Sequence, residues 1–110
     1  MMMITRELQS RLLANGADPD RDHAPVVKFF APWGNATWLL SEMDPENQDL
    51  VFGLCDLGMG YPELGWSSLA EIYAVRGPFE LSVERDIHFT PDAAMAAYAR
   101  DARAAGYIAA

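Results

Sequence analysis

Three apolar runs follow one another in the first half of the chain, and the segments between them are short. Val26–Ala31 is separated from Ala36–Met43 by a turn over residues 32–35, and the polar link 44–49 leads to the third run, Leu50–Leu57. Parallel neighbours need a crossover of about a dozen or more residues, which neither segment provides. The runs therefore predict adjacent antiparallel strands, and the third, apolar on both faces, is expected to be central.

Helix signals flank these strands. Thr5 can cap a helix over residues 5–14, in which apolar residues recur at every fourth position. Near the other end, Thr90 precedes a proline and an aspartate, which predicts a helix from position 91 to about 105, ending before Gly106. The expected buried stripe of this second helix is Ala94, Tyr98, Ala102 and Ala105.

The segment between the third run and the last helix predicts further short elements. Glu63–Ser67 is expected to form a fourth strand, and Ser68 can cap a short helix over residues 69–75. Phe79–Arg85 alternates apolar and polar residues, which is typical of a half-buried strand.

This order of elements predicts the fold class. We expect an α+β fold with a mostly antiparallel sheet of about four to five strands, on which an N-terminal and a C-terminal helix pack from one face. A chain of 110 residues is expected to form a single domain, with the first helix and a polar connector in 1–24 and the core in 25–108.

The charge balance excludes some function classes. Sixteen acidic residues face eight basic ones, which gives a net charge of −8 at pH 7. Nucleic-acid binding needs clustered lysine and arginine, and the basic residues here are scattered, so no direct binding to nucleic acid is expected. The single cysteine, Cys55, indicates a reducing compartment, and no run is apolar enough for a signal peptide or a membrane span. We expect a cytoplasmic protein that does not contact a membrane.

A few titratable residues surround the glycine-rich segment Gly58–Gly60. Asp56, Glu63 and His88 are the candidates for a catalytic site, with His88 as a general base. Asp56 can equally bind the backbone of its own turn, and His88 can be a hydrogen-bonded residue before the last helix. Cys55, in mid-strand, is expected to be a buried structural residue. The non-catalytic interpretation is the one we favour.

Two cofactor motifs are incomplete. Gly58–Gly60 lacks the third glycine of a dinucleotide-binding loop, because Glu63 occupies that position. Asp18–Asp22 begins like a calcium loop, but His23 and Phe29 occupy the places of its glycine and glutamate. We therefore expect no cofactor and no metal.

Two groups of residues are candidates for binding a partner. Acidic clusters can dock on a basic surface through charge complementarity, and aromatic residues in loops often anchor partners. The simpler interpretations are that the acids keep the chain soluble and that the aromatics cover the core. The candidates are the acids Asp44, Glu46 and Asp49 and the aromatics Trp33, Tyr61 and Trp66.

Four ungapped segments carry a resemblance to a known family. They are ATWLL (36–40), FGLCDLG (52–58), YPELG (61–65) and VERDIHF (83–89). They resemble a bacterial family of unknown function numbered 2958, over about residues 25–108. Members look like short stand-alone proteins of plasmids, phages and integrated elements. The resemblance implies an accessory role on mobile DNA, and because the family has no assigned activity it transfers no catalytic residue.

Together these observations predict a small acidic, non-catalytic accessory protein. Its expected partner is a host-encoded or element-encoded protein with a basic nucleic-acid-binding surface, and the sharpest form of the hypothesis is an inhibitor of a host defence system, of anti-CRISPR or anti-restriction type. Two alternatives stay open. One is a small enzyme with its site around Asp56, Glu63 and His88. The other is a regulatory or oligomerising subunit, which predicts an exposed apolar patch near Tyr61 or Trp66 or at Trp33.

Overall fold

The structure, a computed structural model that describes residues 4–110, is a five-stranded antiparallel sheet with helices packed on it. The α+β class and the predicted order of elements are confirmed. None of the helices formed by the described residues is long and apolar enough to cross a membrane. In chain order the elements are α1 (Arg6–Gly16), β1 (Val27–Phe30), β2 (Thr37–Asp44), β3 (Asn47–Asp56), β4 (Glu63–Ser68), α2 (Leu69–Ala74), a 3₁₀ turn (Pro78–Glu80), β5 (Glu84–Arg85) and α3 (Met95–Ala105).

The strands lie in the order β4-β3-β2-β1-β5, so that β4 and β5 form the two edges of the sheet. β2 and β3 form a hairpin that closes where Asp44 pairs with Asn47. The prediction of a polar link over 44–49 is therefore wrong for residues 47–49, which belong to β3. The first residues of β3 are polar and exposed, and the hydrogen bonds of the ladder extend the strand without any burial of side chains.

The helices lie on both faces of the sheet, and the prediction that they share one face is wrong. On one face, Leu12 of α1 and Ile72 of α2 pack with Trp38 and Leu40 of β2. On the other face, Leu39 packs with the buried side of α3. Because consecutive residues of a strand point to opposite faces, a continuous apolar run such as that in β2 needs cover on both sides.

Two helices start at the predicted caps. The hydroxyls of Thr5 and Ser68 each accept a hydrogen bond from the backbone N–H three residues further on, at 3.2 Å in both cases. α1 continues through Gly16, beyond its predicted end. Gly16 lies directly on β2, where an added Cβ would be 1.9 Å from the backbone oxygen of Met43, so only glycine allows this approach.

The segment after α2 departs most from its prediction. The alternation in Phe79–Arg85 predicted one strand, but β5 covers only the last two of these residues. A tight turn begins at Pro78 instead, and Phe79 is 97 % exposed with a φ of 58°. The turn is closed by a hydrogen bond of 2.8 Å from Gly77 N to Leu81 O. Local turn geometry and the fixed φ of proline thus override the alternating pattern.

The start of α3 also differs from its prediction. The helix begins at Met95, and Thr90 does not cap it. The polar connector before β1 supplies the cap: Met95 N donates to the carbonyl of His23 at 2.9 Å, and the next N–H donates to Oδ1 of Asp22 at 3.0 Å. The end of α3 is as predicted, because Gly106 adopts the left-handed conformation with a φ of 83°.

The face that α3 buries also differs from its prediction. Of the predicted stripe only Ala102 is fully buried, and Ala105 is exposed. The contact with Leu39 and Leu54 comes from a stripe that starts one residue later than predicted, and Tyr98 of the predicted stripe packs against it while only partly buried. The buried residues are Met95, Ala99 and Ala102.

Candidate functional site

A cleft of about 510 Å³ opens between the polar connector, the sheet and the start of α3. It lies on the face of the sheet that α3 covers, at the end where α3 begins. Its walls combine acidic and aromatic side chains, an arrangement that suits a ligand with both a charged and an apolar part. The lining comes from connector residues 19–23, Ser41 and Glu42 of β2, Phe52 of β3, Leu64 and Trp66 of β4, and Met95 and Ala96 of α3.

A bulge in β2 brings two polar residues into this wall. The register with β3 shifts between Leu40 and Glu42, so that Ser41 is the extra residue and Glu42 lies opposite Phe52. Asn15 Nδ2 holds the bulge by donating to the carbonyl of Ser41 at 2.9 Å. Bulges commonly redirect side chains next to binding sites, and this one places a serine and a glutamate inside an otherwise apolar sheet.

Both residues are buried, and the hydroxyl of Ser41 lacks the hydrogen bond that buried polar groups usually form. Ser41 is 1 % exposed, and its hydroxyl has no hydrogen-bond partner among the described residues. Glu42 is 6 % exposed, and burial is the largest effect on its carboxyl, raising the pKa above the usual value of 4.5. Nearby His23 lowers that pKa and nearby Asp18 raises it. Most buried polar atoms are hydrogen-bonded, so the unpartnered hydroxyl of Ser41 beside an acidic cleft wall indicates a place for a ligand.

Aromatic side chains form the opposite part of the wall. Phe52 and Trp66 lie edge to face across the β3–β4 pair, with ring centroids 5.4 Å apart. Trp66 is half exposed, so its indole is available to a ligand as well as to Phe52. The exposed face of an aromatic ring such as that of Trp66 is electron-rich and can attract a cation.

One comparison with known proteins identifies the chain's family. The family model described as "Protein of unknown function (DUF2958)" matches residues 3–109. The chain belongs to this family. The match includes α1 and the connector, which lie outside the segments that carry the sequence resemblance, so the connector walls of the cleft are part of the family unit. No curated protein and no solved structure matches the chain.

In this DUF2958 protein Asp56 has a structural position. It is 1 % exposed at the end of β3, and its two carboxylate oxygens accept from Gly58 N at 2.8 Å and from Ile108 N at 3.0 Å. The first bond is the contact within its own turn that the sequence analysis favoured. The second fastens the segment after α3 to the sheet, which the sequence could not show because the partners are far apart along the chain.

The other two catalytic candidates do not share a cavity with Asp56 or with each other. Glu63 starts the edge strand β4 and is exposed, and His88 is exposed after β5, where its backbone N–H donates to Oδ1 of Asp86 at 2.9 Å. Asp56 and His88 each line one cavity and Glu63 lines two, and none of these four cavities contains more than one of the three residues. Cys55 is half-buried, and burial together with the charge of Asp56 raises the pKa of its thiol, the reverse of what a nucleophile needs.

The predicted acidic cluster divides into residues with different surroundings. Asp49 caps α2: its carboxylate accepts from Ser68 Oγ at 2.6 Å and from Ala70 N at 2.8 Å, and these bonds lower its pKa. Asp44 accepts the backbone N–H of Glu46 at 2.9 Å in the hairpin turn. Glu46 is exposed at that turn and points to no described partner.

The predicted aromatic residues also differ. Trp33 packs against the core, and its ring lies so close to Gly77 that an added Cβ would be 2.2 Å away. Tyr61 is 82 % exposed in the β3–β4 loop, and Trp66 lines the cleft. Trp33 therefore covers the core, whereas the side chains of Tyr61 and Trp66 are exposed to solvent.

The residues of the cleft that sequence analysis missed carried one readable signal. Ser41 and Glu42 are consecutive polar residues between Leu40 and Met43. In a regular strand consecutive side chains point to opposite faces, so the two could not both lie on one solvent-exposed face. Such an interruption is typical of a bulge. His23 was interpreted only as part of a polar connector, because nothing local indicates that the connector folds back onto α3.

Proposed function

We propose that this DUF2958 protein is a non-catalytic binding module that holds a basic segment of a protein partner. The observation that supports the proposal is the cleft, which combines a buried glutamate and connector acids with the exposed indole of Trp66. A chain with a net charge of −8 attracts a basic surface and accelerates its approach. An aromatic residue in a partly desolvated wall is the usual anchor of such a complex.

The edge strand β4 adds a second means of holding a peptide. β4 pairs with β3 along Glu63–Ser68, and no strand of the described residues covers its outer side. Exposed edges accept an added strand from a partner through backbone hydrogen bonds, while pockets beside the edge select side chains. Trp66 lies on this strand and also lines the cleft, so a segment docked along β4 would place a side chain at the cleft.

A narrower form of the proposal concerns the partner's identity. The family resemblance to proteins of mobile elements and the acidic surface favour an inhibitor of a host defence system, whose basic nucleic-acid channel would receive this acidic protein. Glu46 is the acid of the hairpin that is available for such a contact, because Asp44 and Asp49 are engaged in local hydrogen bonds.

Capture of a partner from nuclease-treated host lysate, with identification by mass spectrometry, tests the proposal when cleft variants are compared with matched controls. Trp66→Ala and Asp20→Asn should weaken capture, and Glu46→Gln tests the hairpin acid. Tyr107→Ala removes an exposed aromatic, and Glu80→Gln an exposed acid, both outside the cleft. Equal capture by wild-type protein and the cleft variants would overturn the proposal, and so would a captured surface without basic character.

An oligomerising subunit is the second candidate, and one observation favours it. Leu57, Met59 and Tyr61 are all exposed in the segment between β3 and β4, which makes an apolar strip beside the free edge. If this strip joins two copies of the chain, sedimentation equilibrium should show a dimer that Met59→Ser with Tyr61→Ser converts to a monomer. A monomer at all concentrations would exclude this function.

A further inference from the structure

We propose that the cleft is a specific site for one organic cation, an alkylguanidinium or alkylammonium group, with Glu42 as its counter-ion and Trp66 as the wall for its stem. The cation site itself does not depend on the proposed function. Only the assignment of the cation to a side chain of a protein partner rests on that function. The same chemistry is presented by a free alkylamine and by an arginine or lysine residue, and the experiment below separates these sources.

The position of Glu42 is the first argument for a cation. The side chain is 6 % exposed, and within residues 4–110 its carboxylate forms no salt bridge, since the ion pairs of the described residues are Lys28–Asp86 and Arg100–Asp101. The carboxylate lies in the cleft wall without a partner charge and is partly desolvated there, and an incoming cation offsets that loss of solvation. His23 lowers the pKa of Glu42 but forms no salt bridge with it among the described residues, and its Nε2 is hydrogen-bonded to the carbonyl of Asp18 at 2.7 Å.

The hydroxyl of Ser41 is an independent argument. It is buried in the wall of the same cleft and has no hydrogen-bond partner among the described residues. A hydroxyl oxygen has two lone pairs that can accept from the N–H groups of a guanidinium or an ammonium. Ser41 and Glu42 are neighbours on one bulge and both line the cleft, so the hydroxyl lies beside the counter-ion proposed for the cation.

The rest of the wall fits the stem that carries the charge. Trp66 offers an aromatic face to the cation, and Leu64 and Met95 line the cleft with apolar surface. Long basic side chains bury their methylene groups along such surfaces while the charged head is bound elsewhere. The lining therefore selects an organic cation over a simple metal ion, and no group of three or more metal-ligating residues is present within residues 4–110.

An anion does not fit the same cleft. Helix N-termini bind anions through their first N–H groups, but in α3 these groups already donate to His23 and Asp22. Arg21 is the one permanently charged cation of the lining, against the acids Asp20, Asp22 and Glu42. The balance of charge and the occupied helix start both favour a positively charged ligand.

The test is a titration of the purified chain followed by ¹H–¹⁵N correlation spectra. Butylguanidine represents a free organic cation of the same single charge, N-acetyl-arginine amide represents the protein side chain, and N-acetyl-citrulline amide is the neutral isostere of the latter. We expect at least one guanidinium compound to shift the indole N–H of Trp66 and the amides of the bulge, and the citrulline compound to bind about tenfold or more weakly, because a hydrogen bond to a charged group is lost. Tighter binding of butylguanidine identifies a free small cation as the source, and tighter binding of the blocked arginine identifies a protein side chain.

Variants make the test specific to the cleft. Glu42→Gln keeps the shape of the side chain and should weaken binding of the guanidinium compounds about tenfold or more. Ser41→Ala and Trp66→Leu should each weaken it several-fold, and Glu80→Gln, which removes an equal charge outside the cleft, should leave it unchanged. Spectra of the unbound variants report whether each one is folded.

Two results would overturn the inference. One is equal binding of the arginine and citrulline compounds, and the other is binding that Glu42→Gln leaves unaltered. These outcomes are distinct from failure of the proposed function: cation binding without a captured partner refutes only the protein-binding role. Capture of a partner that survives Glu42→Gln, together with no cation binding, refutes only this site.

Discussion

Replacing Asp56 by alanine should destabilise the fold strongly, although the residue was a catalytic candidate. The carboxylate is buried and accepts hydrogen bonds from the N–H groups of Gly58 and Ile108. A hydrogen bond to a charged group contributes about 1.5–3 kcal/mol, so the loss of both should cost about 3–6 kcal/mol. That is a large share of the roughly 5–15 kcal/mol that stabilises a typical domain.

Urea unfolding followed by circular dichroism measures this loss, and the matched control is Glu63→Ala, which truncates an exposed carboxylate at the edge strand. The control should stay within about 0.5 kcal/mol of wild type, as exposed substitutions usually do. Hydrogen exchange should show that the amide of Ile108 loses protection in Asp56→Ala. An Asp56→Ala protein within about 1 kcal/mol of wild type would refute the structural role, because the buried N–H of Ile108 cannot lose its acceptor at so small a cost.

Three further predictions test the cleft and the fold. Burial raises the pKa of Glu42, so the folded state binds the carboxyl proton more tightly than the unfolded state does. Glu42→Gln should therefore raise the melting temperature at pH 7, and this gain should shrink as the pH falls and vanish below about 4.5. A gain in melting temperature that grows on acidification contradicts the burial. Gly53→Ala places a Cβ 1.9 Å from a backbone oxygen of β2 and should leave little folded protein by circular dichroism, whereas Gly65→Ala has open space and should fold. Asp22→Ala removes the side-chain cap of α3 and should lower the free energy of unfolding, measured in urea, by about 1 kcal/mol. Thr90→Ala should have no measurable effect, because Thr90 does not cap the helix. A larger loss of stability in Thr90→Ala than in Asp22→Ala would support the helix start predicted from the sequence.

The parts of the fold that were predicted correctly depend on local signals. The short links after the first two apolar runs leave no room for a parallel crossover, so the antiparallel order of β1, β2 and β3 follows from chain length alone. Thr5 and Ser68 cap their helices because a hydroxyl accepts a backbone N–H within the same turn, and Gly106 ends α3 for an equally local reason.

The parts that were predicted wrongly depend on residues distant in the sequence. α3 starts at Met95 because Asp22 and His23 bind its first N–H groups, and no window around Thr90 contains that information. The cleft is assembled from the connector, the β2 bulge, two further strands and the start of α3, so its composition could not be read from any one segment. Ser41 and Glu42 gave a hint of the bulge, but which face they line depends on the register with β3.

The measurement that tests the central claim most directly is site-specific photo-crosslinking in the host cell. p-Benzoyl-phenylalanine would replace Trp66 in the cleft or, in the control, Tyr107, which is equally exposed elsewhere. A binding module that holds a basic segment predicts a crosslinked partner at position 66 only, with lysine or arginine residues in the crosslinked peptide. Crosslinks to the same protein from both positions, or none from position 66, would contradict the account.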